Sequence, residues 1–351
     1  MKKTSIQDIA KELNLSRNTV AKALGAKGYI ADDTRKKIIK KAREMGYTKL
    51  PEDAEAGDEA KTEIKTVLVL TRTDVSLFWS GIIMGINNEL NTHGCNINIQ
   101  FANEEAPQQF DYISAVTPSL VGILVLSVYS DKFLWPFLEL DVPIVFLDTG
   151  ITDVDRAFLR GDVVLNEGVY SVESLTRHLI AQGIKNIGFI GDITYCRSIR
   201  DRYDGFLLGL KSTDIEPDES IIAVKHMPER YYLRHEVEEA LSCFKYIPEA
   251  IVCANDDIAM HVIGALRARE FRVPDDVAVT GYDDLESLIE HITPFISTVK
   301  IHHAELGKRL ARQLMWRIEN PDASKEITVI RGEVIIRGSS ARQSKNKSKG
   351  E

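Results

Sequence analysis

Apolar residues in the first fifty positions recur at helical spacing in three short runs. Ser5 and Ser16 each stand just before a run and are typical N-caps, and Gly46 follows the third run, where a glycine commonly ends a helix. Asn14 and Leu15 interrupt the pattern between the first two runs. The spacing therefore predicts three short helices, of which the first two form a helix-turn-helix. The predicted inner faces are Ile6, Ile9, Ala10 and Leu13; Val20, Ala23 and Leu24; and Ile38, Ala42 and Met45.

From Lys65 onward the pattern changes to short β-branched runs that alternate with longer amphipathic segments. Strands that alternate with helices are typical of parallel sheets covered on both faces. Eight such runs are more than one sheet comfortably holds, so we expect an α/β fold of two lobes. The predicted strands are 66–71, 97–101, 122–127, 143–148, 186–191, 221–226, 250–255 and 277–283, and the predicted helices include 79–92, 167–182, 202–211 and 256–270.

Residues 51–63 differ in composition from both of these regions. They hold six acidic side chains, one lysine and almost no large apolar side chain. Such a segment buries too little surface to offset its chain entropy, which indicates a flexible linker. The predicted organisation is a helix-turn-helix domain at 1–49, an acidic linker at 50–64, an α/β domain at 65–340 and a disordered, Lys- and Ser-rich tail at 341–351.

Charge is distributed unevenly along the chain. The formal net charge is −8, yet residues 1–50 hold thirteen Lys and Arg against five Asp and Glu, which leaves +8 on this head and −16 on the remainder. A basic head on an acidic body favours a polyanionic partner for the head alone.

Neither the cysteines nor the apolar runs indicate export or a membrane. Cys95, Cys196, Cys243 and Cys253 form no C-x-x-C pair and lie near no histidine at metal-ligand spacing, which favours buried, reduced thiols. The N-terminus lacks an apolar signal segment, and no apolar run approaches the ~18 residues needed to cross a bilayer. We therefore expect a cytoplasmic protein with no metal or other cofactor.

The second predicted helix carries the candidate DNA-reading residues. Its outer face presents Arg17, Asn18 and Lys22, opposite the apolar inner face. In the major groove an arginine pairs with guanine, and an asparagine with adenine, through two hydrogen bonds each. The alternative is the solvated face of an ordinary three-helix bundle, against which the compact size and the positive charge of the head favour DNA. Side chains better suited to phosphate are Ser16, Thr19, Lys27 and Arg35.

Polar residues end several predicted strands of the α/β domain. Asp148, Asn255 and Asp283 each follow an apolar run, and open α/β sheets bind ligands at the carboxyl ends of their strands. Carboxylates and amides pair with vicinal hydroxyls, so these residues indicate a sugar site. A helix cap is the alternative for Asp148 and Asp283, and we expect Asp256 to be such a cap.

Arg202 and three aromatic residues complete the candidate ligand set. Arg202 opens a predicted helix and offers a planar fork of donors. Phe78 and Trp79 are placed to stack on a sugar ring, with burial in the core as the alternative for Trp79. Tyr231, or its neighbour Tyr232, adds a second stacking wall.

No pattern in the sequence indicates catalysis. His302 and His303 precede a predicted helix and are more typical of a solvated helix start than of a metal site. The adjacent aspartates at 256–257 and 283–284 have no nucleophile to serve, and no G-x-S-x-G sequence occurs. We therefore expect a protein that is not an enzyme.

The head resembles the DNA-binding domain of the LacI/GalR family of bacterial transcription regulators. The matching segments are SIQDIA at 5–10, LSRNTVAKAL at 15–24 and TRKKI at 34–38. The α/β rhythm and the motifs R-x-x-G-F, A-N-D and G-Y-D extend the resemblance over nearly the whole chain. It implies a periplasmic-binding-protein-like (type I) domain, whose lobes we expect at about 65–161 with 293–322 and at about 162–292 with 323–340.

The resemblance also assigns roles to individual residues. It places Arg17 and Asn18 where family members choose the operator sequence, and Tyr29 and Thr34 at the DNA backbone. It matches Arg202, Asn255 and Asp283 to positions that contact the effector. The predicted DNA-binding residues are Ser5, Ser16, Arg17, Asn18, Thr19, Lys22, Lys27, Tyr29, Thr34 and Arg35, and the predicted ligand-binding residues are Phe78, Trp79, Asp148, Arg202, Tyr231, Asn255 and Asp283.

A function follows from the resemblance as an expectation. It implies a homodimeric repressor that binds a pseudo-palindromic double-stranded operator under the control of a small polar effector, a sugar in particular. A purine or nucleoside is the alternative effector, and SLFW at 76–79, where the family usually has Asn-Pro-Phe-Phe, indicates an altered ligand. A sugar-binding transport protein is the rival class, which the basic head and the missing signal segment disfavour.

The linker departs from the family pattern. In family members this stretch usually folds into a hinge helix on DNA and wedges a leucine into the minor groove. Here Leu50 is followed directly by Pro51, and the acidic side chains would lie close to phosphates and be repelled. We hypothesise that the protein lacks a working hinge helix and bends its operator less.

Overall fold

The structure is a computed structural model that describes residues 4–25, 30, 32–47, 65–72, 77–102, 117–148, 150, 161–224, 233–285 and 293–342. The chain forms two compact units that divide between Ile64 and Lys65. The acidic linker at 50–64 and residues 343–351 of the predicted tail lie outside the described residues.

The first unit is a three-helix bundle, as the apolar spacing predicts. Ser5 and Ser16 cap the first two helices, and the Ser16 hydroxyl accepts a hydrogen bond from the backbone N–H of Thr19 at 3.0 Å. The inner-face residues Ile9 and Val20 are fully buried. The predicted helix-turn-helix is therefore confirmed. Its helices are α1 (Ile6–Glu12), α2 (Arg17–Leu24) and α3 (Asp32–Glu44).

The second unit is an α/β domain in which strands and helices alternate. Its strands are β1 (Lys65–Thr71), β2 (Cys95–Phe101), β3 (Leu120–Val125), β4 (Ile144–Leu147), β5 (Asp162–Asn166), β6 (Ile187–Ile190), β7 (Ile222–Ala223), β8 (Ala250–Cys253), β9 (Ala278–Thr280), β10 (Thr298–Lys300), β11 (Ile327–Ile330) and β12 (Glu333–Ile335). Its helices are α4 (Leu77–Thr92), α5 (Asp131–Leu138), α6 (Val169–Ala181), α7 (Arg197–Lys211), α8 (Arg234–Ser242), α9 (Asp256–Ala268) and α10 (His303–Glu319).

Two parallel sheets organise this unit, so the predicted fold class is confirmed. The larger sheet has the order β11-β5-β4-β3-β1-β2 and the smaller one the order β7-β6-β8-β9. We call the larger sheet with α4, α5 and α10 lobe 1, and the smaller sheet with α6 to α9 lobe 2. A short antiparallel pair, β10 with β12, completes the described strands.

The lobe boundaries differ from the predicted ones. Residues 162–166 and 327–330 were expected in lobe 2, but they form β5 and β11 of the lobe 1 sheet. β5 pairs with β4, and β11 pairs with β5, both in parallel. The chain therefore crosses from lobe 1 to lobe 2 after Asn166, between β5 and α6, rather than before this strand.

A buried ion pair explains why β5 belongs to lobe 1. The Arg317 guanidinium of α10 donates to both carboxylate oxygens of Asp162, at 2.7 and 3.0 Å, and each of these side chains is 1 % exposed. Gln313 of the same helix donates to the carboxylate at 2.7 Å. The start of β5 is thus fixed to a lobe 1 helix by groups that are far apart in the sequence.

Some elements were not predicted, and one helix begins earlier than predicted. α5 has only eight residues and contains Pro136, so it shows too few helical repeats for its periodicity to be recognised. α7 begins five residues before the predicted Arg202, because Cys196 takes the N-cap position. β11 is an edge strand with Ile327 and Val329 exposed, so its apolar residues follow no inward-facing pattern.

The cysteines follow the prediction with one exception. Cys95, Cys196 and Cys253 are buried free thiols, but Cys243 is exposed because it caps the solvent-facing end of α8. Among the described residues, no group of histidine, cysteine or acidic side chains is arranged to hold a metal ion. No described helix combines the length and the apolar character that a bilayer crossing requires.

Candidate functional sites

The outer face of α2 presents the candidate base-reading side chains. Arg17, Asn18 and Lys22 are exposed, whereas Val20 and Ala23, on the opposite face, are buried. The 3.6-residue helical repeat therefore separates a polar face from the core, as predicted. This face carries side chains able to donate to guanine and adenine edges.

The serine and threonine candidates of the first unit have local structural roles. The Ser5 hydroxyl lies 2.6 Å from the Asp8 carboxylate, and the Ser16 and Thr19 hydroxyls lie 2.8 Å apart. The two serine hydroxyls also accept from the backbone N–H groups of Asp8 and Thr19, at 3.3 and 3.0 Å, and so cap helix N-termini, where backbone N–H groups also suit a phosphate. Thr34, on α3, is half-buried.

Arg35 is partly used inside the protein. Its Nε donates to the carbonyl oxygen of Ala23 and its Nη2 to that of Gly25, both at 3.3 Å. These carbonyls end α2 and have no partner within the helix. Arg35 therefore ties α3 to the end of α2, a role the sequence did not indicate. Lys27 and Tyr29 lie outside the described residues.

A cleft at the carboxyl ends of the strands collects the candidate ligand residues. Its empty volume is about 910 Å³, which includes space open to solvent. Both lobes contribute to it, and every predicted ligand residue that the structure describes lines it. Tyr231 lies outside the described residues. The described members are Phe78, Trp79 and Asp148 from lobe 1 and Arg202, Asn255 and Asp283 from the part of the chain that follows β5.

Arg202 and Asp283 form a buried ion pair in the cleft. The Arg202 Nη2 lies 3.3 Å from the Asp283 Oδ1, and its Nη1 donates to the Ala254 carbonyl oxygen at 2.7 Å. Burial raises the pKa of Asp283 to about 7, against the opposing effect of the Arg202 charge. Asp283 also has φ +109, a backbone conformation that is strained for a residue other than glycine. The site thus holds a carboxyl group that titrates near neutral pH.

Asn255 takes the helix-capping role that was expected of Asp256. Asn255 is the N-cap of α9, and its Oδ1 accepts from the Ile258 backbone N–H at 3.0 Å. Asp256 was expected to be the cap, but it is buried, and its carboxylate accepts from the Thr298 hydroxyl at 2.8 Å and from the Leu285 N–H at 3.2 Å. Burial raises the pKa of Asp256. The cap uses the Asn255 oxygen, so its amide nitrogen is the group it can offer to a ligand.

Asp148 contacts the opposite lobe. It follows β4, has φ +65, and its carboxylate oxygens each lie 3.3 Å from the backbone nitrogen of Ser198 in α7. A carboxylate at a helix N-terminus interacts favourably with the helix dipole. Asp148 is therefore a helix cap, as the alternative had it, but the helix is α7 of lobe 2, at the rim of the cleft.

The aromatic pair lines the cleft on the lobe 1 side. Phe78 and Trp79 are half-buried, with ring centroids 4.9 Å apart in an edge-to-face arrangement. His303 lies against Phe78, with ring centroids 5.0 Å apart. The histidine thus packs as an aromatic neighbour at the start of α10.

Comparison with known proteins identifies both domains. Residues 5–49 match the family described as bacterial regulatory proteins, lacI family, and residues 176–340 match a periplasmic binding protein-like domain. The chain thus joins a DNA-binding domain of the lacI family to a periplasmic binding protein-like domain. It is a DNA-binding transcription regulator.

Full-length relatives support this assignment. The HTH-type transcriptional repressor PurR of Mannheimia succiniciproducens is 26 % identical, with 95 % of this chain and 98 % of the relative covered. The probable HTH-type transcriptional repressor ExuR of Bacillus subtilis is 28 % identical over the same shares of both chains. A solved transcriptional regulator CelR-cellobiose complex has the same fold, with a TM-score of 0.67, 20 % identity and coverage of 96 % of this chain and 100 % of that chain. Both curated relatives are named as repressors rather than enzymes.

Some residues that line the cleft were not predicted from the sequence. Asn166 ends β5 and is buried, and within the described residues its Oδ1 has no hydrogen-bond partner. Asp257, Arg72 and Ser127 also line the cleft, and burial raises the pKa of Asp257. Asn166 obeys the strand-end rule that predicted Asp148, but its strand was not recognised. An unpartnered buried amide oxygen suits a hydroxyl or N–H donor of a ligand.

Proposed function

We propose that this regulator represses transcription in the cytoplasm as a homodimer on a pseudo-palindromic operator, and that a sugar or sugar derivative bound in the cleft controls its operator affinity. The observation that carries this proposal is the convergence of Arg202, Asn255, Asp283 and Asn166 on one cleft between two lobes. A ligand that bridges the lobes favours one lobe arrangement, and the favoured arrangement sets the affinity for DNA.

The chemistry of the cleft favours a neutral polyol. Its carboxyl groups, Asp148, Asp257 and Asp283, offset its guanidinium groups, Arg72 and Arg202, so the cleft has no excess of positive charge that would favour a strongly anionic ligand. Vicinal hydroxyls both donate and accept, which suits carboxylates on one side and an amide or guanidinium group on the other. The solved complex with a similar fold is named for cellobiose, which supports a sugar.

A purine or nucleoside is the second candidate ligand. The half-buried rings of Phe78 and Trp79 favour it, because an aromatic wall stacks on a base as readily as on a sugar ring. Transport and catalysis form no part of the proposal, since the helix-turn-helix unit and the curated repressor relatives both support a role on DNA.

On DNA, we assign base reading to Arg17 and Asn18. Both are exposed on the outer face of α2. Lys22, exposed on the same face, completes the DNA-facing set of α2. The positioning contacts to phosphate are assigned to Ser5, Ser16, Thr19, Lys27, Tyr29, Thr34 and Arg35.

A thermal-shift screen of the full chain tests the proposed effector class. The panel contains D-ribose, D-glucose, D-glucuronate, cellobiose, adenosine and hypoxanthine. A ligand present at about a hundred times its Kd stabilises the folded state by roughly 2.7 kcal/mol, so a true effector gives a clear shift. The shift is expected with a sugar and is expected to be lost in Arg202→Gln and Asp283→Asn. A response to adenosine or hypoxanthine alone would identify the ligand as a purine or nucleoside instead of a sugar. No response to any compound would refute both candidate ligand classes.

A further inference from the structure

Tyr282 is fully buried directly behind the cleft. It lies between β9 and Asp283, is 0 % exposed, and does not itself line the cleft. A contact with a ligand is therefore not its role in this arrangement. Instead, its ring contacts Arg202 and its hydroxyl contacts the backbone of Glu167.

The ring of Tyr282 supports Arg202. The guanidinium carbon of Arg202 lies 3.7 Å from the ring centroid, over the face of the ring. Both side chains are withdrawn from water, since Arg202 is only 6 % exposed, and the attraction between a cation and a ring face is strongest when both are desolvated. The ring thus sets the plane in which the guanidinium group presents its donors to Asp283 and to the cleft.

The hydroxyl of Tyr282 is fixed at the crossover between the lobes. It donates to the backbone carbonyl oxygen of Glu167 at 2.5 Å, and Glu167 directly follows Asn166. The Glu167 carboxylate caps α6 by accepting from the Tyr170 N–H at 2.6 Å and the Ser171 N–H at 3.1 Å. Burial raises the pKa of Tyr282, so its hydroxyl stays protonated and acts as the donor of this hydrogen bond. One end of the residue is therefore anchored where the chain leaves lobe 1.

We propose that Tyr282 is a positioning residue for ligand binding, which orients the Arg202 guanidinium group from behind and is itself held by the Glu167 carbonyl. The inference rests on the proposed function, because it assigns Arg202 to the ligand. The ring carries most of the effect, and the hydroxyl serves to hold the ring in place.

The first test needs no ligand and therefore stands even if the proposed effector class is wrong. The full chain is labelled at arginine with ¹³C and ¹⁵N, and the Arg202 guanidinium signals are assigned by their loss in Arg202→Gln. Tyr282→Met removes the ring while filling much of its volume, and Tyr282→Phe removes only the hydroxyl. We expect the Arg202 signals to lose their ring-current shift in Tyr282→Met and to stay near the parent position in Tyr282→Phe. Unchanged Arg202 signals in Tyr282→Met would overturn the proposal.

The second test asks whether the contact acts through Arg202. It uses the strongest-binding compound of the six-compound panel and measures its Kd by calorimetry. Tyr282→Met is expected to weaken binding at least about tenfold, and Tyr282→Phe by less than about threefold, because the ring face is kept. In the Arg202→Gln background, Tyr282→Met is expected to cost nothing further, which a double-mutant cycle measures.

The cycle separates positioning from general structural damage. A loss of affinity in Tyr282→Met that persists at full size without Arg202 would refute the positioning role. If Tyr282→Met does not fold, phenylalanine derivatives with one, two and three ring fluorines at position 282 replace it, since they keep the shape and weaken the ring face stepwise. Stepwise weaker binding supports the proposal, and equal binding across the series refutes it.

Discussion

The two candidate sites place similar side chains in opposite surroundings. Arg17 and Asn18 are exposed on a short helix, whereas Arg202 and Asn255 are at most 6 % exposed and are hydrogen-bonded to other parts of the protein. Exposed charges act through screened, nearly independent contacts, but buried polar groups interact at low dielectric and depend on one another. We therefore expect the DNA surface to respond to salt and to single substitutions additively, and the cleft to respond to pH and cooperatively.

The largest expected effect on stability comes from breaking a buried ion pair. Arg317→Met leaves the Asp162 carboxylate buried without its cation, which should lower the free energy of unfolding of the α/β unit by about 3–5 kcal/mol. The matched control is Arg312→Met on the same helix, whose 2.8 Å pair with Glu89 is more than half exposed on the arginine side, so its loss should lower the free energy of unfolding far less. Urea unfolding measures both. Equal losses would show that burial does not govern these pairs.

The cleft should confer a pH dependence on stability. The pKa of Asp283 is about 7 in the folded protein against 3.8 for an unperturbed aspartate, so the folded state binds an extra proton between these values. Its stabilising contribution is complete below about pH 4 and is lost as the pH rises through 7. Relative to Asp283→Asn, the parent should lose up to about 1.4 kcal/mol per pH unit in this window.

Urea unfolding at intervals from pH 4 to 8 measures this difference. Asp148→Asn is the comparison variant at the rim of the same cleft. Because the buried Asp256 shares the titration, the parent-minus-variant difference is the quantity to interpret. Parallel pH profiles for the parent and Asp283→Asn would show that Asp283 stays ionised throughout.

On the DNA surface, a single base-reading contact should contribute less free energy than the buried ion pair does. Arg17→Ala is expected to cost roughly 1–3 kcal/mol at one preferred base pair and to relax the sequence requirement there. Lys36→Ala, an exposed lysine of α3 outside the predicted set, is the control and should leave the preferred sequence unchanged. Selection of binding sites from a random pool gives both preferences. An identical preferred sequence for Arg17→Ala and the parent would remove Arg17 from the reading face.

The smallest effect is expected from the linker. If Leu50, which precedes Pro51, wedges into no base step, Leu50→Ala should leave operator affinity within about twofold, because no unstacking contact is lost. A circular-permutation gel-shift assay should also show no sharp bend at the operator centre. A strong central bend that disappears in Leu50→Ala would establish a working hinge helix and refute the hypothesis.

Local features of the fold were predictable from the sequence, and long-range ones were not. The caps Ser5 and Ser16 and the buried face of α2 follow from spacing within a few residues, so they were predicted correctly. Asp148 and Asp283 were placed at one cleft because the carboxyl ends of parallel strands share an edge of their sheet. β5 was missed because it begins with Asp162, whose partner Arg317 lies 155 residues away. Because β5 was missed, Asn166, the lobe boundary and the crossover between the lobes were missed as well.

The same limit applies to the interactions inside the cleft. The Asp256 carboxylate is engaged by Thr298, and the Arg202 guanidinium group is supported by Tyr282, and both of these partners are distant in the sequence. Residue types at strand ends therefore predicted which side chains meet, but not which of their atoms remain available to a ligand.

The proposed function requires above all that a ligand in the cleft changes the affinity for DNA. The direct measurement is fluorescence anisotropy of a labelled operator, chosen by selection with the full chain, titrated with protein in the presence and absence of each panel compound. We expect at least one sugar to change the operator Kd by about tenfold or more, a coupling of about 1.4 kcal/mol, and Arg202→Gln to abolish this response. Contradiction would come from an operator Kd that stays the same at saturating concentrations of every panel compound that binds, or from a full response that persists without Arg202.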